Sequence, residues 1–103
     1  MNIVFEIEEL EYFYITPLEA IRGKQKYPIE VIKQYKKRIQ LLIALTRLDE
    51  LKNFRGLNFE FLKGNRKGGC SIRLNDQYRL IFSLTEENRI QILLIREISK
   101  HYE

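Results

Sequence analysis

The spacing of apolar residues changes from a helical period to a strand period near residue 57 of this 103-residue chain. Before that point, apolar side chains recur at intervals of three or four: Ile32, Tyr35, Ile39 and Leu42. After it, strand-length segments rich in branched and aromatic residues alternate with short polar turns. A chain of this length fills only one hydrophobic core, so residues 1–103 are predicted to form a single domain.

The first part of the chain predicts a strand and then a short helix. Segment "IVFEI", residues 3–7, has the length and composition of a strand, whereas "ELEYFYI", residues 9–15, fits either a strand or a helix. Thr16 and Glu19 in "TPLEAIRG" have the spacing of a capping box, which indicates that a short helix begins there.

The strongest helix signal follows in residues 26–45, where Pro28 suits a helix start. Its lysines Lys33, Lys36 and Lys37 lie on other faces than the apolar stripe and are read as a solvated surface. Thr46 ahead of Asp49 marks a further short turn or helix.

The second half predicts four strands in the segments "LNFEFLKG", "CSIRLN", "QYRLIFSL" and "RIQILLI", with "GNRKGG", "ND" and "TEEN" between them. Consecutive strands joined by short turns form an antiparallel meander. The predicted fold class is therefore α+β: an N-terminal strand, two to three helices, then a C-terminal antiparallel β-meander with the helices packed on one sheet face.

Charge is distributed unevenly along the chain. The first 21 residues hold five of the fourteen acids and no base, whereas the remainder holds all eighteen bases and nine acids. Clustered cations suit a polyanionic partner, because they raise the local concentration of phosphates, although a basic surface that is merely solvated has the same composition. With 45% hydrophobic residues, the chain also has enough apolar material for a core, which excludes a disordered class.

The cysteine content and the N-terminus indicate a cytoplasmic protein without a membrane anchor. Cys70 is the single cysteine, so no intramolecular disulfide forms and a reducing compartment is expected. The opening "MNIVFEIEELEYFYI" lacks the features of a signal peptide, and no apolar run reaches the roughly 18 residues of a membrane span.

Five cations fall in residues 63–82, where Asp76 is the single acid: Lys63, Arg66, Lys67, Arg73 and Arg79. Cations on a rigid hairpin can hold a phosphate, and the planar fork of arginine binds two phosphate oxygens together. The alternative is that Lys63 and Lys67 are merely solvated in a turn. In the same alternative, Arg73 and Arg79 cover the outer sheet face or pair with Glu60 and Glu97.

The stretch "FEFLKGNRKGGCSIRLNDQYRLIF", residues 59–82, resembles the HigB-type toxins of the RelE/ParE superfamily of bacterial toxin–antitoxin modules. The resemblance implies a RelE-like fold and a ribosome-dependent endoribonuclease that cleaves mRNA without metal or cofactor. It also implies a cognate antitoxin, a helix-turn-helix protein of the HigA type, in a toxin–antitoxin hetero-oligomer. A ParE-like toxin that inhibits gyrase without cutting RNA, and an inactive module that only binds antitoxin, are the alternatives.

The resemblance also assigns roles to individual residues. Lys63 matches a lysine at the scissile phosphate, where it assists deprotonation or stabilises charge, and Arg73 and Arg79 match arginines that neutralise the transition state. RNA contacts are assigned to Arg66, Lys67, Asn75 and Tyr78. Cys70 is interpreted as a buried strand residue rather than a nucleophile, because no thiolate-activating motif adjoins it.

The C-terminus departs from the family pattern. Where HigB relatives end in Asp-Tyr-His, this chain reads "SKHYE", with Lys100 in the position of the aspartate. His101 and Tyr102 are both candidates for the catalytic acid, since imidazole titrates near neutral pH and a phenol can donate to a leaving oxygen. Glu97 is a further candidate, as an orienting carboxylate.

The length of the "ND" turn decides whether the two strand arginines act together. A two-residue turn opposes Arg73 to Tyr78 and sends Arg73 and Arg79 to opposite faces of the sheet. An odd-length loop or a bulge brings them to the same face. The catalytic role implied by the resemblance needs the second arrangement, which is the one we predict.

Overall fold

The computed structural model of the protein describes residues 1–64 and 68–100. Its main elements are β1 (Asn2–Phe5), α1 (Glu8–Ile15), α2 (Ile29–Ala44), β2 (Glu60–Phe61), β3 (Gly69–Arg73), β4 (Tyr78–Glu87) and β5 (Ile90–Lys100). Short 3₁₀ turns at Leu18–Ala20, Leu48–Asn53 and Arg55–Leu57 lie in the connections. None of the helices in these residues has the length and apolar character needed to cross a membrane.

The strands of the described residues form one five-stranded sheet in the order β1-β5-β4-β3-β2. Strands β2 to β5 are antiparallel neighbours, which confirms the predicted meander. Strand β1 pairs in parallel with β5, from Asn2 opposite Ile92 to Phe5 opposite Ile95. The first strand of the chain therefore completes the sheet beside the last, a pairing that the sequence left unassigned.

Both helices bury their apolar sides against one face of the sheet. The predicted stripe of α2 is fully buried, as are Leu10 and Phe13 of α1. These side chains pack in one core with apolar residues of β3, β4 and β5: Ile72, Leu80, Phe82, Leu93 and Ile95. Burying one such side chain contributes about 1.5–3 kcal/mol, so this interface dominates the stability of the fold.

Segment 9–15, which fitted either a strand or a helix, is helical, and the short helix predicted from "TPLEAIRG" is present as the 3₁₀ turn Leu18–Ala20, which begins after Pro17 and not at Thr16. The N–H of Thr16 donates to the carbonyl of Tyr12 at 3.0 Å and ends α1 there. Pro17 disfavours helical backbone in the residue before it, and Thr16 is extended with ψ 125°. The longer helix at this point is α1, where three glutamates in the first turn stabilise the helix N-terminus. Only the turn Leu18–Ala20 follows it.

Two other boundaries refine the prediction. The stretch "TEEN" is not the turn before the last strand, since β4 continues to Glu87 and the chain reverses at Asn88 and Arg89. Both turn residues have positive φ, 51° and 69°, as a tight two-residue hairpin requires. The short turn or helix predicted after Thr46 is confirmed, since Leu48–Asn53 forms 3₁₀ turns.

Candidate functional site

Arg73 on β3 and Arg79 on β4 lie directly opposite each other in the antiparallel register. Side chains alternate between the two faces of a strand, and the adjacent pair, Ile72 and Leu80, is fully buried beneath the helices. Arg73 and Arg79 therefore belong to the outer face of the sheet, away from the helices. We call these two side chains the arginine pair. Their common face confirms the prediction made from the hairpin.

The loop between β3 and β4 sets this register. The N–H of Leu74 donates to the carbonyl of Tyr78 at 2.9 Å, which leaves the odd-length loop 75–77. Within it, the side-chain oxygen of Asn75 accepts hydrogen bonds from the N–H groups of Gln77 at 2.9 Å and Tyr78 at 2.8 Å. An asparagine that bonds the backbone two residues ahead stabilises such a turn. Asn75 thus has a structural role that the sequence analysis missed.

Both guanidinium groups are anchored to the hairpin itself. Arg73 forms an ion pair with Asp76, whose side chain is 88% exposed, so the pair contributes little to stability. Nη1 of Arg79 donates to the carbonyl oxygens of Asn75 at 2.9 Å and Tyr78 at 3.2 Å. Both arginines remain partly exposed. The hairpin holds two oriented cations on a surface that an anion can reach.

Arg38 of α2 contacts the same hairpin from the helical side. Its Nε donates to the backbone carbonyl of Arg73 at 3.4 Å, and partial burial lowers the pKa of its guanidinium through desolvation. The sequence analysis did not single out this residue. The sequence did contain a signal that Arg38 is partly buried. It lies three residues after Tyr35 and four before Leu42, and that spacing places it beside the buried stripe.

The lysines of α2 are not all solvated as predicted. Lys33 and Lys37 are exposed, but Lys36 is partly buried and its Nζ donates to the carbonyl of Tyr14 at 2.8 Å. Tyr14 lies in the last turn of α1, where a cation stabilises the unpaired carbonyls. Desolvation lowers the pKa of the Lys36 ammonium group, and the nearby Glu19 carboxylate partly offsets this decrease.

Lys63 is exposed just after β2, next to Gly64, which has a positive φ of 67°. Arg66 and Lys67, which the resemblance assigned to RNA contacts, lie outside the described residues, and nothing in the structure bears on them. Gly68, where the description resumes, also has a positive φ, 92°. These backbone conformations agree with the turn predicted from the glycines of this segment.

The end of β5 lies beside the hairpin. Ser99 pairs with Arg79 and Lys100 pairs with Tyr78, while Glu97 pairs with Ile81. Because Ile81 is two residues from Arg79, Glu97 shares the outer face with the arginine pair. The proposed acids His101 and Tyr102 follow directly in the chain but lie outside the described residues.

Tyr78, the remaining predicted RNA contact, lies on the helical side of the sheet. It is 9% exposed, and its ring meets that of Tyr27 edge to face, with the centroids 6.0 Å apart. The structure thus brings together Arg73 and Arg79 but not Tyr78, which faces a separate cavity beside Tyr27.

Cys70 has no catalytic environment. Its side chain is 1% exposed, and burial raises the pKa of its thiol to about 11. A thiol of that kind is protonated and unreactive at neutral pH, in agreement with the interpretation as a strand residue. In residues 1–64 and 68–100, no three histidine, cysteine or acidic side chains cluster as metal ligands.

Comparison with known proteins connects this geometry to a family. A family model described as "RelE-like toxin of type II toxin-antitoxin system HigB" matches residues 3–95. Toxin HigB-1 of Vibrio cholerae serotype O1 (strain ATCC 39315 / El Tor Inaba N16961) is 37% identical over 82 residues, which cover 80% of this chain and 82% of that protein.

Two solved structures match nearly the whole chain. A YoeB/ParE toxin from Agrobacterium tumefaciens matches with a TM-score of 0.54 and 18% identity, over 99% of this chain and 100% of that one. A YoeB dimer from Staphylococcus aureus matches with a TM-score of 0.49 and 22% identity, over 99% and 98% of the two chains.

The Agrobacterium match shows that the α+β fold is the one found in toxins of this kind. The family model extends from β1 into β5 and includes the whole hairpin that carries the arginine pair. Membership of such a system implies an antitoxin as partner. The chain therefore belongs to the HigB-like toxin family of type II toxin–antitoxin systems.

Proposed function

We propose that this protein is a ribosome-dependent endoribonuclease that cleaves mRNA in the cytoplasm. The observation that carries the proposal is the arginine pair. Like charges directly opposite each other destabilise a sheet, and in the hairpin only Asp76 offsets them with a negative charge, so a bound anion stabilises this placement further. A phosphodiester is such an anion, because its two free oxygens match the fork of a guanidinium group.

The reaction we propose needs no group outside the RNA and the protein. The ribose 2′-oxygen attacks phosphorus and loses its proton, while the bond from phosphorus to the 5′-oxygen breaks and that oxygen gains a proton. The products are a 2′,3′-cyclic phosphate and a 5′-hydroxyl. Arg73 and Arg79 stabilise the negative charge that develops on the phosphoryl oxygens, the effect that fixed donors provide best.

The other roles follow from family membership. Family membership assigns Lys63 to the scissile phosphate, where it takes the 2′-proton or stabilises charge, although Lys63 lies beside the start of β3 and the arginine pair at its end. The proton donor is His101 or Tyr102. The pairing of Ser99 with Arg79 supports this assignment, since Ser99 precedes His101 by two residues. Arg66, Lys67, Asn75 and Tyr78 complete the contacts with RNA. The antitoxin is a helix-turn-helix protein of the HigA type that forms a hetero-oligomer with the toxin.

Induction of the protein in a bacterial host, followed by mapping of transcript 5′ ends, tests this proposal. The wild type is expected to arrest growth and to produce new 5′-hydroxyl ends inside translated codons. Arg79→Gln is expected to lower the cleavage rate about a hundredfold, the usual effect of removing one donor to a transition-state oxyanion. Arg47→Gln is the matched control, because Arg47 is an exposed arginine whose partner is Asp49.

A Lys63→Ala/His101→Ala double variant tests the acid and base roles together. Growth arrest as strong as that of the wild type contradicts those roles. Intact transcripts together with a DNA-damage response in the wild type overturn the nuclease proposal in favour of gyrase inhibition. An absence of toxicity on expression overturns both and indicates an inactive antitoxin-binding module.

A further inference from the structure

An open cavity of about 630 Å³ lies on the helical side of the sheet, between the segment that leads into α2 and the start of β4. Tyr27 and Tyr78 line it with Gln25, Lys26 and Ile29. Its volume falls in the range of about 300–1,000 Å³ typical of pockets that bind small organic groups. The reaction proposed at the arginine pair, on the outer face, does not involve this cavity.

The lining combines aromatic and polar groups. The rings of Tyr27 and Tyr78 meet edge to face at 6.0 Å, and Nζ of Lys26 lies 5.5 Å from the centre of the Tyr27 ring. The side-chain amide of Gln25 donates to the carbonyl of Arg22 at 2.6 Å, and its oxygen is a further polar group at the rim. Each ring is 9% exposed, so a nucleobase in this cavity contacts only a small part of the rings and is held chiefly by the cation and the amide, through its hydrogen-bonding edge.

One cation, Lys26, lines the cavity, and two more, Arg22 and Lys24, alternate with its lining residues Gly23 and Gln25 in segment 22–26, "RGKQK". All three cations are exposed. Within the described ranges none of the three forms an ion pair with a carboxylate. Three exposed cations in five residues attract the phosphates on either side of a base, and their effect falls with added salt.

The cavity and the arginine pair lie at the same end of the sheet. Tyr78 lines the cavity, and the next residue, Arg79, belongs to the arginine pair. Lys100, at the end of β5, is the cross-strand partner of Tyr78. An RNA strand that crosses this end of the sheet therefore meets the arginine pair on one face and the cavity on the other.

From these observations we propose that the cavity binds one unstacked nucleobase of the single-stranded RNA substrate, and that segment 22–26 neutralises the phosphates beside it. The inference rests on the proposed nuclease function and adds a second contact to it. This site contributes to binding and not to the chemical step, since it lies on the other side of the sheet from the arginine pair.

The charge of the rim is tested by Lys24→Glu/Lys26→Glu in a reconstituted system with mRNA on ribosomes. The toxin concentration for half-maximal cleavage is expected to rise about tenfold or more, with a smaller effect in high salt and an unchanged maximal rate. Lys33→Glu/Lys37→Glu is the control, because it makes the same change in charge at exposed positions of α2. Equal effects of the two double variants indicate general electrostatics and overturn the site.

The cavity itself is tested by Ile29→Trp, which fills it without altering charge. Ile29 lines the cavity and is 49% exposed. Ile43, which is 45% exposed on the same helix about 21 Å further along, gives the matched control Ile43→Trp. Ile29→Trp is expected to raise the half-maximal concentration about tenfold, in the range that loss of one base contact produces, and Ile43→Trp to leave it unchanged.

The outcomes separate this inference from the proposed function. Wild-type cleavage with no effect of Ile29→Trp overturns the nucleobase site while the nuclease proposal stands. A wild-type protein that does not cut mRNA on ribosomes overturns both. Circular dichroism and melting curves of each variant confirm that a weaker response reflects binding and not unfolding.

Discussion

Arg73 and Arg79 occupy directly opposite positions on neighbouring strands, so the hairpin holds two like charges at the closest spacing that a sheet offers. Asp76 and the carbonyl groups of the turn reduce the repulsion without removing it. We expect this arrangement to lower the stability of the free protein, a common feature of binding sites.

The arginine pair is expected to show an unfavourable coupling free energy. A double-mutant cycle with Arg73→Gln, Arg79→Gln and the double variant, measured by urea unfolding, should give a repulsion of about 0.2–1 kcal/mol. The coupling should decrease between low and high concentrations of sodium chloride, because exposed charges are screened by salt. Strictly additive effects at low salt contradict the repulsion.

A divalent anion is expected to relieve the same repulsion. Sodium sulfate should raise the melting temperature of the wild type more than sodium chloride at equal ionic strength, because sulfate matches the guanidinium fork. Sulfate also stabilises proteins in general, so the Arg73→Gln/Arg79→Gln variant is the necessary control. An equal response of the two proteins contradicts a specific anion site.

Arg38 is expected to stabilise the end of β3 from the helical side. Arg38→Ala removes the donor to the carbonyl of Arg73 and should lower the free energy of unfolding by about 1 kcal/mol. The control Lys37→Ala changes the neighbouring exposed cation and should have an effect within about 0.5 kcal/mol. Urea unfolding of the two variants measures both, and equal effects contradict a role of the Arg38 contact.

The structural role of Asn75 can be separated from its proposed contact with RNA. Asn75→Ala removes the acceptor for the N–H groups of Gln77 and Tyr78 and should destabilise the protein by about 1–2 kcal/mol. Asn75→Asp keeps an acceptor oxygen and should retain most of the stability. Loss of RNA cleavage in a stable Asn75→Asp variant supports a contact between the amide and RNA, and wild-type cleavage contradicts it.

Cys70 is expected to make the fold sensitive to alkaline pH. The pKa of its thiol is about 11 in the folded protein against 9.0 as the ordinary value, so the unfolded chain loses the proton first. The contribution to stability is complete below pH 9 and is lost as the pH rises through 11, on the order of 2 kcal/mol in total. Urea unfolding across this range should show a steeper decline for the wild type than for Cys70→Ala, and parallel curves contradict it.

The sequence predicts the parts of this structure that depend on periodic burial. The stripe from Ile32 to Leu42 and the alternating strands gave the fold class, because burial of apolar side chains follows the period of the element. The end of α1 was not predictable from capping patterns, since Thr16 and Glu19 have the spacing of a helix start although Thr16 ends α1. Residues 16–19 contain signals both for the start and for the end of a helix.

The candidate site was predictable in composition but only partly in geometry. The cations of residues 63–82 were visible in the sequence, whereas the common face of Arg73 and Arg79 depends on one residue of loop length. Arg38 reaches the hairpin through tertiary packing, and no local pattern reveals which hairpin a helix will contact. The cavity beside Tyr27 and Tyr78 joins segments far apart in the chain for the same reason.

The position of β5 between β1 and β4 has a consequence for the order of synthesis. A nascent chain delivers β1 first, yet its partner is the last strand to leave the exit tunnel. Non-local pairing of this kind delays folding until the late segment is available. We therefore expect truncated translation products to be unfolded and harmless, so that the proposed nuclease becomes active only after the ribosome that made it has finished.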